Sequence, residues 1–175
     1  MEMWDIYDRD RVKTGKTISR AEKLPEGSYH IVVHILIMNS KNEMLIQKRT
    51  LTKDKWPGRW DISIGGSIVA GEDSRIGAIR ESKEEIGYDV NLENVRPAIT
   101  FNFERGFDDY YIILDDVDIN TLKLQEEEVD EVKWASREEV IEMIKNNEFV
   151  DHHISFMNLM FDLAQEMSEK QNNSK

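Results

Sequence analysis

The sequence predicts an α/β fold, a sandwich in which helices cover both faces of a central mixed β-sheet. Short β-branched or alternating segments, typical of strands, recur from the N-terminus to about residue 135. Segments of helical period interrupt and follow them, and strands interspersed with helices form a sheet that is covered on both sides. At 175 residues, the chain is long enough for one well-buried domain.

Most of the predicted strands lie in the first half of the chain. The segment MWDIYD alternates as a short strand does, and GSYHIVVHILIMNS is a β-branched run typical of a central strand. SKNE is predicted to turn the chain into a hairpin, and LTKDKWPGRW to form a shaped loop. The predicted strands are 3–8, 27–40, 44–50 and 61–68, and then 95–104, 109–115 and 127–135.

Three helices are predicted from their apolar period and their end signals. The first spans 72–86 and ends at Gly87, where a helix C-cap favours a residue that is free to take a positive φ. The second follows Ser136, which stands three residues before Glu139 as in a capping box, and runs to about residue 146. The third spans about 151–169 and leaves QNNSK as a polar, frayed tail.

We divide the chain into an N-terminal strand and connector at 1–27, one domain at 28–165 and a C-terminal tail at 166–175.

Composition and charge exclude several classes of protein. The net charge of -12 argues against nucleic acid or a membrane surface as a partner, because both require a basic surface. The absence of cysteine excludes disulfides and thiolate metal sites. No apolar run approaches the roughly 20 residues of a membrane span, so we expect a cytoplasmic protein.

Crowded carboxylates on the first helix are the strongest chemical signal. Glu81, Glu84 and Glu85 fall within an arc of about 100°, and Gly77 lies on the same face one turn earlier. The opposite side is predicted to face the core through its isoleucines, Ile76, Ile79 and Ile86. The carboxylate face is therefore expected to lie away from the core.

A carboxylate array of this kind is either a solvated helix face or a metal site. In a cleft, two carboxylates about 5 Å apart repel by roughly 3 kcal/mol at an effective dielectric constant near 20. Protonation or a cation relieves this repulsion, and three oxygen donors without thiolates suit Mg²⁺ or Mn²⁺. The residues that precede the helix distinguish the two alternatives.

The spacing around this array resembles the Nudix signature. In GSIVAGEDSRIGAIRESKEEIGY, a glycine is followed after five residues by glutamate, after seven more by Arg-Glu, and then by Glu-Glu and a glycine. The matching residues are Gly66, Glu72, Arg80, Glu81, Glu84, Glu85 and Gly87. Two aliphatic positions of the signature depart, being Ser82 and Tyr88, and the serine is expected to weaken one packing contact while leaving the carboxylates intact.

The resemblance implies the Nudix fold, an α/β/α sandwich with a catalytic loop-helix-loop motif, and a hydrolase that cleaves a diphosphate bond in a small molecule. It implies that Glu81, Glu84 and Glu85 bind Mg²⁺, which Mn²⁺ can replace, and that the carbonyl of Gly66 contributes. We take Glu84 as the first candidate for the general base. The run Glu126, Glu127 and Glu128 and the pair Asp108 and Asp109 are later candidates, with ordinary acidic loops as their alternative.

Three arginines complete the candidate site. We count Arg80 with the catalytic residues. With Glu72 it resembles the ion pair of the family that connects the signature loop to the helix and orients the carboxylates. Its alternative is an exposed arginine that pairs with Glu84. Arg49 and Arg59 are candidates for contacts with substrate phosphates, and solvated side chains are the alternative.

Residues 3–165 resemble in particular the isopentenyl-diphosphate isomerase-like branch of the family. An isomerase of that branch has a catalytic cysteine in a Cys-Gly-His segment, where this chain has Gly65, Gly66 and Ser67. We therefore expect a hydrolase rather than an isomerase. The alternative from another class is a non-catalytic module that senses a nucleotide. A homodimer is possible, since many members of the family are dimers.

Overall fold

The computed structural model of the protein describes residues 2–173. The strands are β1 (Met3–Tyr7), β2 (Lys13–Ser19), β3 (His30–Met38), β4 (Met44–Arg49), β5 (Trp60–Asp61), β6 (Ile64–Ser67), β7 (Ile99–Phe103), β8 (Gly106–Leu114) and β9 (Val129–Ala135). The helices are α1 (Ser74–Ile86), α2 (Arg137–Lys145) and α3 (Ile154–Asn173), with a 3-10 turn at Ile119–Thr121. Strands and helices in this order confirm the predicted α/β class.

One mixed sheet forms the centre of the fold, with the order β5-β4-β3-β8-β7. β3 runs parallel to β8 over its whole length and antiparallel to β6. β4 pairs with β5 and β9, but it meets β3 only where Met38 lies opposite Met44. Beyond that contact β3 and β4 diverge, and β6 and β5 line the two arms of the V-shaped opening between them.

The segment 61–68, predicted as one strand, is two strands in the structure. β5 belongs to one arm of the opening and β6 to the other. Between them lies the buried Ser63, whose hydroxyl donates to the carbonyl oxygen of Leu45 (2.5 Å) and accepts from the amide of Ile37 (2.8 Å). Because buried backbone groups need hydrogen-bond partners, this side chain makes the break in the strand tolerable.

Side chains alternate along β3, so this strand contributes to two cores. Ile31, Val33 and Ile35 pack in the cluster that also contains residues of α1. Leu36 and Met38 pack in the second cluster, with residues of α2 and α3. Helices therefore cover both faces of the sheet, as the predicted sandwich requires.

The N-terminal region contains a strand that the sequence analysis missed. β2 pairs antiparallel with β1 to form a hairpin. Its sequence, KTGKTIS, is polar and mostly exposed, so it lacks the alternation by which strands are recognised. Near the turn of the hairpin, Arg11 donates to the buried carboxylate of Asp109 (Nη1 to Oδ1 2.9 Å), which also accepts from the hydroxyl of Thr100 (2.6 Å).

The hairpin also holds the loop that precedes α1. The amide of Ala70 donates to the carbonyl oxygen of Met3 (2.7 Å), and the amide of Gly71 donates to the carboxylate of Asp5 (2.9 Å). Two adjacent residues of the loop, Ala70 and Gly71, are thus bound to a strand that lies more than 60 residues earlier in the chain.

The helix ends follow the predicted signals. Gly87 takes a φ of +67° at the end of α1, and Ser136 and Glu139 form the predicted capping box. α3 begins at Ile154 and continues to Asn173, so the first residues of the predicted frayed tail are helical, while residues 174–175 lie outside the described range. None of the helices within residues 2–173 has the length and apolar character needed to cross a membrane.

Candidate active site

α1 packs its carboxylate face against the sheet. Glu85 is only 7% exposed and Glu81 is mostly buried, whereas Ile76 is 46% exposed and Ile79 is 38% exposed. The prediction that these two isoleucines face the core is therefore wrong, and only Ile86 is buried as expected. The helix uses small residues at its contact with the sheet, so that carboxylates, rather than apolar side chains, reach the interior.

Glycines provide the space for this arrangement. A Cβ atom on Gly66 would lie 2.2 Å from the carboxylate carbon of Glu81, so any side chain at position 66 would occupy the space of that carboxylate. A Cβ atom on Gly77 would lie 2.3 Å from Cγ2 of Ile68. α1 can approach β6 and the loop after it because both positions lack a side chain.

Arg80 joins the loop to the carboxylates. Its guanidinium donates to both oxygens of Glu72 (2.8 and 3.0 Å) and to the carbonyl oxygen of Ser67 (3.1 Å). Its Nη1 also donates to Glu81 and to Glu84, at 2.9 Å each. The contact between Glu72 and Arg80 expected from the resemblance is present, and so is the contact with Glu84 that was its alternative.

Ser82 and Tyr88, the two departures from the signature, contact each other. Ser82 is buried, and its hydroxyl donates to the carbonyl oxygen of Tyr88 (2.8 Å). The serine thus satisfies a backbone acceptor just beyond the C-terminus of α1, where carbonyl groups lack helical partners. The packing lost at this position is replaced by a hydrogen bond.

Glu85 is the most deeply buried of the three carboxylates. Its Oε2 accepts from the side-chain amide of Gln47 (2.9 Å) and from the backbone amide of Gly65 (3.3 Å). Burial, and then the charge of Glu81, raise the pKa of Glu85 from an ordinary 4.5 to about 8, and those two hydrogen bonds offset only part of the rise. Burial also raises the pKa of Glu81, although Arg80 lowers it.

The raised pKa of Glu85 predicts how the stability of the metal-free protein changes with pH. Between pH 4.5 and about 8, this carboxyl group is ionised in the unfolded chain but protonated in the folded protein. The folded state then binds more protons, so the free energy of unfolding contributed by this group falls as the pH rises through that window.

Urea unfolding in EDTA between pH 5 and pH 8.5 measures this effect. We expect the wild-type free energy of unfolding to fall relative to that of a Glu85→Gln variant as the pH rises. A difference between the two proteins that stays constant over the range would contradict the raised pKa.

The carboxylates of Glu81, Glu84 and Glu85 are chemically suitable ligands for a divalent cation. One nitrogen of Arg80 already lies within 2.9 Å of both Glu81 and Glu84, so a positive charge can reach these two carboxylates together. Their oxygens are the hard donors that Mg²⁺ and Mn²⁺ prefer. Within residues 2–173, no three acidic or histidine side chains converge on one point at coordination distance, so binding would require the carboxylates to rearrange.

A cavity of about 530 Å³ lies on the α3 side of the sheet, and its wall connects to the carboxylates through two contacts. Asp61 lies close enough to raise the pKa of Glu85, and its Oδ1 is 3.5 Å from Nε2 of His152 in the cavity wall. The other contact runs from Gly65 to His34, whose Nε2 is 3.2 Å from Asp108 in the same wall. The cavity is therefore a neighbour of the candidate metal site.

Arg49 and Arg59, the predicted phosphate contacts, are both engaged with carboxylates. Nη1 of Arg49 is 3.2 Å from Asp61, and Nη1 of Arg59 is 2.8 Å from Asp151. Both lie near the loop between β4 and β5, at the mouth of the V-shaped opening. To contact a phosphate, each would have to share or exchange its present partner.

His152 belongs to the surroundings of the site, although no motif of the sequence indicates it. Its side chain is only 15% exposed, lines the cavity and lies beside Asp61. Although burial alone would raise it, the pKa of Asp61 is lowered by His152, Arg49 and the amide of Ile62. The spacing of these residues along the chain gives no signal that they meet.

Comparisons with known proteins agree with the fold. Residues 28–157 match the family model described as the NUDIX domain. An uncharacterized Nudix hydrolase of Listeria innocua is 44% identical over 163 residues, which cover 93% of this chain and 95% of that protein. An isopentenyl-diphosphate Delta-isomerase of Citrobacter koseri is 27% identical over 123 residues, 66% of each protein. A Deinococcus radiodurans protein of known crystal structure, 22% identical, has a TM-score of 0.70 over 97% of this chain and 98% of its own.

Proposed function

The chain belongs to the Nudix family, and from this premise we propose that it is a metal-dependent hydrolase that cleaves a diphosphate bond. The proposed substrate is a nucleoside diphosphate derivative or a related organic diphosphate. The observation that carries the proposal is the position of three carboxylates on one helix: Arg80 binds Glu81 and Glu84 through one nitrogen, Glu81 lies against Gly66, and Glu85 accepts from the amide of Gly65. All seven fixed charged and glycine positions of the signature are present.

The metal proposed for this site is Mg²⁺, with Mn²⁺ as a substitute, held by Glu81, Glu84 and Glu85. A bound divalent cation neutralises phosphate charge and acidifies bound water, which explains how a protein of charge -12 can act on an anionic substrate. Arg80 would then be released from two of its carboxylates while Glu72 and Ser67 continue to hold it. Through Glu72 and Ser67, Arg80 would still fix α1, and with it the carboxylates, against the loop.

Glu84 is proposed as the general base. Its side chain is 53% exposed, whereas that of Glu81 is 13% exposed, so Glu84 can reach a water molecule from solvent. It takes a proton from the water as the water oxygen bonds to one phosphorus atom. The bridging oxygen leaves with the other phosphate, so that two phosphate products form.

The surroundings of Gly65 argue against isomerase activity. A Cβ atom at this position would lie 2.9 Å from Nδ1 of His34, so the catalytic cysteine of an isomerase would require this histidine to move. The complete set of signature carboxylates likewise favours cleavage over the sensing of a nucleotide without turnover.

A substrate panel tests the proposal. We expect Mg²⁺- or Mn²⁺-dependent cleavage of at least one compound among nucleoside diphosphate sugars, dinucleoside polyphosphates, NADH, FAD, CoA and prenyl diphosphates, with products identified by mass. EDTA should abolish the reaction. Tight binding of a panel member with no metal-dependent product from any of them would replace the hydrolase with a sensing module.

A further inference from the structure

The cavity beside the candidate metal site has an aromatic wall. Phe101, Tyr110 and Phe156 contact one another, with ring centroids 4.9 to 5.9 Å apart and planes inclined by 66° to 83°. Phe101 is 41% exposed and Leu159 is 43% exposed, so the cluster offers an uncovered apolar surface to the cavity. The cavity has a volume of about 530 Å³, within the range of roughly 300–1,000 Å³ that is typical of ligand sites.

The aromatic wall lies near the carboxylates at which cleavage is proposed. Asp61 lies between the cavity and the carboxylates. Its Oδ1 is 3.5 Å from Nε2 of His152 in the cavity wall, and it lies opposite Gln47, whose side-chain amide donates to Glu85. A group attached to a diphosphate held at Glu81, Glu84 and Glu85 would therefore have the aromatic wall as a neighbour.

The charge of the wall restricts which groups can bind. Among the described residues that line the cavity are two aspartates, Asp108 and Asp151, and two histidines, His152 and His153, and neither lysine nor arginine is present. Asp151 is paired with Arg59 outside the cavity, whereas the carboxylate of Asp108 lies 3.2 Å from Nε2 of His34. An anionic group in the cavity would be repelled by Asp108, and no lysine or arginine among the described lining residues offsets this repulsion.

Resting on the proposed function, we infer that this cavity binds the group attached to the diphosphate, and that it selects an uncharged or cationic planar ring over an anionic group. Stacking on the exposed face of Phe101 supplies the affinity for the ring, because aromatic side chains bind planar rings regardless of their exact substituents. Asp108 supplies the discrimination against negative charge, since a like charge nearby is the element that rejects the wrong ligand.

Matched synthetic substrates test the role of Phe101. The probes are methyl diphosphate and 2-phenylethyl diphosphate, which differ in the presence of a ring. We expect the ratio of kcat/KM for the phenyl compound to that for the methyl compound to fall at least 10-fold in Phe101→Ala. In Val12→Ala, an exposed apolar residue of the hairpin, the ratio should stay at the wild-type value. A wild-type ratio in Phe101→Ala would overturn the assignment of the wall.

The charge of the ring substituent tests the role of Asp108. We expect the para-carboxylate of 2-phenylethyl diphosphate to have a KM at least 10-fold above that of the para-aminomethyl compound. Asp108→Asn should bring the two values within about 3-fold of each other. Equal KM values for the two compounds in the wild-type protein would overturn the proposed selectivity.

Calorimetry separates failure of this inference from failure of the proposed function. If none of these compounds is cleaved, their dissociation constants can still be measured with Mg²⁺ present. Weaker binding of the phenyl compound to Phe101→Ala than to wild type would then support the ring site although cleavage is disproved. Equal binding of the phenyl and methyl compounds to the wild-type protein would reject the ring site itself.

Discussion

Replacing Glu85 by glutamine is expected to lower kcat about 100- to 1,000-fold while the protein stays folded, the range seen when one group that stabilises a transition state is removed. Glutamine has the size of glutamate and can keep an oxygen toward Gly65 and Gln47. It cannot supply the negative charge that a divalent cation requires. The loss should therefore appear in turnover and in metal affinity rather than in folding.

Steady-state rates at saturating Mg²⁺, with urea unfolding of the same samples, measure this result. Glu142→Gln makes the same chemical change at an exposed position of α2 and should leave both kcat and stability near wild type. Wild-type turnover in Glu85→Gln would remove this residue from the site. Loss of folding in the variant would show that the carboxylate is needed for structure instead.

Replacing Gly66 by alanine is expected to lower kcat about 100-fold with only a small change in stability. The new Cβ atom would lie 2.2 to 2.6 Å from the carboxylate atoms of Glu81, so this carboxylate must move. The end of a glutamate side chain rotates at low cost, which limits the effect on folding. A displacement of about 1 Å in a catalytic group can, however, cost about 100-fold in rate.

Gly77→Ala provides the matched control, because it adds the same methyl group one turn before Glu81. There the Cβ atom would lie 2.3 Å from Cγ2 of Ile68, a β-branched side chain that cannot move aside easily. Overpacking should lower the free energy of unfolding by roughly 1–3 kcal/mol, with a smaller loss of kcat than in Gly66→Ala. Wild-type kcat in Gly66→Ala would mean that the position of Glu81 does not limit the reaction.

The sequence was sufficient to predict that Glu81, Glu84 and Glu85 lie together on one helix, because their spacing along α1 determines their relative positions. It was not sufficient to predict which face of α1 is buried. Ile76 and Ile79 suggested the wrong face, since apolar residues usually mark the buried side. The carboxylate face of α1 is buried because Gly66 and Gly77 allow the helix to approach the sheet through that side. Such a close approach depends on tertiary packing, which the pattern of a single helix does not indicate.

Features that depend on residues distant in the chain were also beyond prediction. The break between β5 and β6 relies on Ser63 meeting both Leu45 and Ile37, and a serine in a strand gives no sign of such partners. The cavity joins residues of β7, β8 and α3 that are separated by up to 58 positions, from Phe101 to Leu159. Its aromatic members therefore resemble ordinary core residues when each is considered alone.

The docking of the N-terminal hairpin also has a consequence for the order in which the protein folds. The bond from Gly71 to Asp5 spans 66 positions and that from Arg11 to Asp109 spans 98, so both belong to contacts of high sequence separation. Closing such long loops costs chain entropy before the contacts are gained, and contacts of this kind tend to form late. A chain whose hairpin has not yet docked can already contain α1, but its loop is not held in place. Catalytic competence should accordingly be among the last properties that the folding chain acquires.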